Sequence, residues 1–236
     1  MVSAPAPAPL STVQAPPAAS VLPRSARLTY RTSAQVPVLG FPFTIGATTI
    51  TTWKLQGGGY ECHLQTDRVD FEQDSGGRLV PGQGLQPLRY AQKRPMHSLE
   101  SVEVDWDRKA LRTSVPAESP AVGPGAQDRL SVQFQFAWMH AEHPERLAPG
   151  SRVPMELIGP HGTEHWEFDV DAPSELRIGE TATPAVRLHA RRMAGTREET
   201  MEVWLADSVR WFPARIRLVD RNKSIIDFQL REVNFE

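Results

Sequence analysis

Alternation with a period of two residues constrains this chain more than any other feature in it. Val102, Val104 and Trp106 fall on one side of an extended segment, with Glu103 and Asp105 on the other; Trp166, Phe168 and Val170 alternate with Glu167, Asp169 and Asp171; Ile216 and Leu218 alternate with Arg215 and Arg217. Successive side chains of a strand point to opposite faces, so each such segment buries one face and wets the other. From Arg24 onward these segments are short and separated by Gly, Pro, Asp and Asn, which punctuate strands. Sheets with one dry and one solvated face are typically antiparallel, whereas parallel strands read as near-continuous apolar runs between helices. The chain is therefore expected to be all-β and mainly antiparallel.

Two further segments refine that reading. Val203-Trp204-Leu205-Ala206-Asp207-Ser208, followed by Arg210 to Ile216, reads as two strands joined by a tight polar turn, with Pro213 placed where no ladder donor is needed. The final strand keeps Ile226, Phe228 and Leu230 in phase and then slips to Val233 and Phe235, which predicts a bulge, and hence curvature, near Arg231 or Glu232. The Gly57-Gly58-Gly59 run and the Gly82, Gly84 pair read as hairpin turns rather than phosphate loops, because no strand-loop-helix context or Lys-Ser/Thr accompanies them.

One segment carries both periods. Within Asp128 to His143, Leu130, Val132, Phe134, Phe136 and Trp138 fit a strand, while Leu130, Phe134, Ala137, Trp138 and Ala141 fit a helix stripe. Its length, the scarcity of β-branched residues, Asp128 as an N-cap after Gly123-Pro124-Gly125, and the stops at Pro144 and Pro149-Gly150 select a helix over a long strand. The apolar stripe of that helix is expected to plug one opening of the curved sheet.

Composition bounds the rest. The 236 residues carry 26 Lys and Arg against 28 Asp and Glu, a net charge of -2, which offers no electrostatic case for nucleic acid or an anionic membrane surface. About 200 residues suffice for one domain with a substantial core, and the single cysteine, Cys62, excludes an internal disulfide. No apolar run is long enough to cross a bilayer, and the start lacks the basic and apolar regions of an export signal. Residues 1–23 are rich in Ala and Pro and read as a semi-extended linker, leaving residues 24–236 as a single domain.

No chemistry-bearing constellation stands out. His161-Gly162-Thr163-Glu164-His165 formally matches a zinc-peptidase pattern, but that motif needs a helix, and Pro160, Gly162 and the strand period after it forbid one. His140 and His143 are spaced for a metal but have no third ligand in view, and a helix C-terminus already accounts for histidines there. Cys62 lies in a strand-like run with no electropositive setting. Neither a cofactor nor a catalytic residue is implied.

The segments Arg27-Leu28-Thr29-Tyr30, Leu85 to Tyr90, Val102 to Trp106, Gln127-Asp128-Arg129-Leu130-Ser131 and the Val203 to Ile216 hairpin, in this order, resemble the bacterial domain of unknown function DUF3108 over residues 24–236. The resemblance implies a curved, partly open β-barrel or β-spiral in the periplasm or cell envelope of Gram-negative bacteria, similar to periplasmic lipoprotein carriers, and brings no activity with it. In such a half-open barrel Phe134, Trp138, Trp166, Trp204, Trp211 and Phe212 are placed to line the concave face as a hydrophobic groove, with core filling as the competing role. The expected function is a non-catalytic envelope module binding a lipid-like ligand or a partner protein. The alternative is a structural interaction protein whose fully packed barrel docks an envelope assembly, and a metal-assisted hydrolase around the histidines is the most remote.

Overall fold

In a computed structural model, the described residues are 21–38, 41–116, 121–194, 197–220 and 222–236. Most of the Ala-Pro tract, residues 1–20, lies outside them. The chain ends of the domain meet in the middle of one curved sheet. Strand β1 (Ser25–Val38) pairs antiparallel with the last strand, and the chain then meanders outward through β2 (Phe41–Gln56), β3 (Gly59–Thr66), β4 (Glu72–Val80), β5 (Gly84–Lys93), β6 (Glu100–Asp105) and β7 (Ala110–Thr113). A two-residue strand, β8 (Gln127–Asp128), leads into helix α1 (Ser131–Glu142). The second wing returns through β9 (Arg152–Gly159), β10 (Gly162–Val170), β11 (Ser174–Ile178), β12 (Thr181–Ala194), β13 (Arg197–Ala206), β14 (Pro213–Val219) and β15 (Ile225–Phe235). The sheet runs from β7 through β1 and β15 to β8, with β11 paired to β12 off this path.

The expected all-β, mainly antiparallel architecture with one helix is the one observed; β8 against β9 is the parallel exception. Its curvature has a visible local cause. Thr29 pairs with Glu232 and Tyr30 with Leu230, so Arg231 is the extra residue of a bulge in β15. Gly57 and Gly58 both have positive φ in the β2–β3 hairpin, where side chains are strained.

Two expectations for the helix change. The first helical residue is Ser131, and the residue at the formal cap position is Leu130, which makes no side-chain cap bond. Asp128 still serves the helix start from within β8: its Oδ1 accepts the N–H groups of Leu130 (2.9 Å) and Ser131 (2.7 Å), while its own N–H donates to Ser131 Oγ (2.9 Å). The helix also does not offer one apolar stripe to one opening. Every residue from Ser131 to Met139 is buried, because the helix lies inside the curl of the sheet with neighbours on all sides.

Its polar side chains are spent on closing the barrel. Gln135 accepts the Leu85 N–H (2.7 Å) and donates to the Gln83 carbonyl (3.0 Å), and Gln127 donates to the Leu85 carbonyl (2.6 Å). Gly84, at φ +88, allows this approach, since a Cβ there would collide with the Gln135 amide and the Trp138 ring. Side chains of α1 and β8, rather than a strand ladder, thus tie β5 to the far wing, which makes the barrel partly open in hydrogen bonding yet filled.

The packing begins before Arg24. Leu22 is buried, and the Pro23 carbonyl accepts the indole N–H of Trp53 (2.9 Å).

Candidate functional site

The six aromatic residues expected to line one groove occupy three different places. Phe134 of α1 and Phe212 meet edge to face at 5.3 Å in the core, together with Trp53, which stacks on Phe134 at 4.8 Å and on Tyr60 at 5.6 Å. All four are essentially inaccessible. Trp138 is buried on the helix, with the His143 ring at its edge (5.3 Å). Trp166 is buried on the inner face of β10, under the guanidinium groups of Arg129 and Arg192, each 5.8 Å from its ring. Its N–H donates to Glu164 (3.1 Å), which also accepts from Arg129 (2.7 Å) and Arg192 (3.0 Å).

Trp211 sits at the rim, stacked on His140 at 3.8 Å. The connection that holds it is longer than a tight hairpin turn. A 3-10 turn over Asp207–Val209 is followed by Arg210 and Trp211, both at positive φ, and the Phe212 N–H closes back on the Val209 carbonyl (3.1 Å). Two bulky residues in the left-handed region carry strain. The Trp211 stack and the Arg210 guanidinium over Phe235 (4.6 Å) oppose it.

Trp204 faces outward. Its neighbours Val203 and Leu205 are fully buried, so strand alternation turns the indole to the opposite face, between Arg187 (5.3 Å) and Arg215 (4.8 Å). That face carries an ionic lattice. Arg215 is bidentate to Asp227 (2.9 and 2.7 Å), Arg187 pairs with Asp171 (2.9 Å) and Glu202 (3.1 Å), Arg217 shares Glu202 (3.5 Å), and His189 lies 3.1 Å from Asp171. The Asp227 carboxyl, raised by its burial, is nevertheless held below the usual carboxylate range by its hydrogen bonds from Arg215 and Gln229.

Above the lattice, the outer faces of β12, β13 and β14 and the start of β15 enclose a cleft of about 920 Å³. Charged walls come from Arg187, Arg191, Glu198, Glu202, Arg217 and Lys223, and Val219 and Ile225 supply an apolar strip. Its volume lies within the range of ligand-binding clefts. We take this cleft as the candidate functional site. Period-two reading turns the charged strand residues of its walls toward solvent, but nothing in the sequence signals that three such faces form a concavity.

The histidines stand apart. His161 occupies the β9–β10 hairpin turn, 3.6 Å from Glu100, and His165 points outward from β10, 3.8 Å from Glu156. Burial pushes the His140 imidazole below its ordinary pKa. Among the described residues no three His, Cys, Asp or Glu side chains come together as a metal site. Cys62 is buried, and burial, with Asp128 and Asp74 nearby, pushes its thiol up, away from the reactive thiolate. No described helix is long and apolar enough to cross a membrane.

No protein-family model matches the chain, so membership of DUF3108 is not shown, and no curated protein matches it. The crystal structure of a β-barrel-like protein of the domain of unknown function DUF1849 from Brucella abortus superposes with a TM-score of 0.57 at 8% identity, covering 92% of this chain and all of that one (100%). A DUF1329 family protein from Desulfovibrio piger ATCC 29098 aligns over 91% of this chain and 86% of its own at 9% identity, but its TM-score of 0.32 is too low to inform the fold. The chain thus has a β-barrel-like fold similar to that of the DUF1849 protein, at an identity that speaks to the fold alone.

Proposed function

We propose that this protein is a non-catalytic module of the bacterial cell envelope that docks a partner protein on the outside of a filled barrel. The observation that carries this reading is the position of α1. With Phe134, Phe136, Trp138 and Met139 buried inside the curl, the interior is occupied by the protein's own side chains. The cleft over β12–β15 opens outward, and six of its twelve lining residues are charged, which suits a protein surface better than an acyl chain. The periplasmic location rests on the resemblance to DUF3108, and the barrel shared with a DUF1849 protein is compatible with a binding role.

The second reading, a lipid-like ligand, draws on the apolar inner positions of the sheet beyond the core, where Ala34, Ile45, Ala47, Leu218 and Ile226 are only partly covered. Native mass spectrometry of protein purified from its own host separates the two. The apo mass is expected; a stoichiometric co-purifying lipid would replace the docking reading with the second one.

A further inference from the structure

We infer that the cleft over β12–β15 is the docking site for an acidic, extended peptide segment of a partner protein. The inference rests on the partner-docking reading and names the chemistry that reading leaves open.

The charge balance of the walls points to an acidic occupant. Four cations, Arg187, Arg191, Arg217 and Lys223, line the cleft against two carboxylates, Glu198 and Glu202. Arg187 is largely neutralised from the side by Asp171, at 2.9 Å. Glu202, only 14% exposed, divides its single charge between Arg187 and Arg217. Arg191 meets Glu198 at 3.7 Å with both side chains largely in water, a geometry of little energetic weight. The Lys223 ammonium has no ion pair among the described residues, and its backbone is held at φ +63 by the turn that the Asp220 side chain organises. Arg191, Arg217 and Lys223 are thus left with more positive charge than the cleft itself compensates.

Shape and polarity exclude a bare anion as the natural occupant. About 920 Å³ greatly exceeds what one phosphate or carboxylate fills, and the Val219 and Ile225 strip calls for apolar contact next to the charges. A peptide that alternates acidic and apolar side chains answers both, with carboxylates to the Arg191, Arg217 and Lys223 side and apolar groups to the strip.

The test uses the full chain and a blocked, fluorescein-labelled decapeptide of alternating Glu and Val, followed by fluorescence anisotropy at low and at 0.5 M salt. Saturable binding is expected, weakened by salt and reduced about tenfold or more by the exposed double change Arg191→Glu and Lys223→Glu. The corresponding Lys-Val peptide should not bind, and inorganic phosphate at a concentration equal to that of the peptide should not compete. Circular dichroism checks that the double variant is folded, and the milder Arg191→Gln and Lys223→Gln pair should give a smaller loss in the same direction. Absence of binding, equal binding of the Lys-Val peptide, or affinity unchanged in the charge-reversed protein would overturn the inference. If the peptide fails while the native mass is apo, only the choice of partner is wrong; a bound lipid in the native mass removes the docking reading itself.

Discussion

The indole of Trp53 and the phenyl ring of Phe134 lie face to face, with centroids 4.8 Å apart and planes 15° apart, and so fasten the middle of the sheet to the helix inside it. Trp53 also stacks on Tyr60 and meets Phe212 edge-on at 6.2 Å, so four aromatic rings from two adjacent strands, the helix and the β13–β14 connection form one packed unit. Beyond area burial, aromatic pairs of this kind each contribute about 0.5–1.5 kcal/mol.

Phe134→Ala should therefore remove about 3–5 kcal/mol of stability, because it leaves a cavity that the fixed rings of Trp53 and Phe212 cannot refill. Urea denaturation followed by tryptophan fluorescence measures it. A loss under about 1 kcal/mol would mean that the helix is not packed inside the barrel.

Asp128 predicts a pH dependence. Burial pushes its carboxyl up from 3.8 to about 6, against the hydrogen bonds from Ser75 (2.6 Å) and the Ser131 and Leu130 N–H groups that favour the ionised form. The folded protein holds this proton more tightly than the unfolded chain does, so the Asp128 contribution to stability falls as pH rises from about 4 to about 6 and stays reduced above that. Asp128→Asn keeps an oxygen for the helix start and lets Ser75 turn its donor toward the Tyr60 hydroxyl, 3.2 Å away. Relative to the wild type, the variant should gain up to about 3 kcal/mol between pH 4 and pH 7.5. Denaturation curves at both pH values check this; parallel shifts of the two proteins would rule it out.

Trp204 and Phe212 should separate cleanly. Trp204→Ala removes an outward ring held between two guanidinium groups and should cost about 1–2 kcal/mol. Phe212→Ala should cost about 3–5 kcal/mol, as for a fully buried ring. Equal losses in thermal or chemical melts would place Trp204 in the core.

His161→Ala with His165→Ala should leave stability within about 0.5 kcal/mol, since both imidazoles are exposed and their carboxylate neighbours lie at 3.6 and 3.8 Å. Elemental analysis is the decisive measurement. Near-stoichiometric zinc in the wild type that vanishes in the double variant would bring the hydrolase reading forward.

The candidate site was only partly legible in the sequence. Trp204 carries its own signal: it shares strand parity with Glu202, while Val203 and Leu205 take the other face, so the same alternation that identified the strand already turned the indole away from Phe212. Trp53 and Tyr60, the centre of the aromatic unit, were open to the same reading. Tyr60, Cys62 and Leu64 alternate with Glu61 and His63, and all three are buried.

Features that depend on neighbours along the chain were readable from residue order alone: strands with one dry face, turns at Gly57-Gly58, the bulge at Arg231 and the existence of a helix after Asp128. Backbone geometry makes these local, because period, chirality and turn preferences act over a few residues. Long-range packing alone sets the helix inside the barrel rather than at its mouth, closes the seam on Leu85 through Gln127 and Gln135, and bends the charged faces of β12–β15 into a cleft. Each of these depends on the register and twist of strands far apart in the chain, such as β1 against β15, and no local period encodes that.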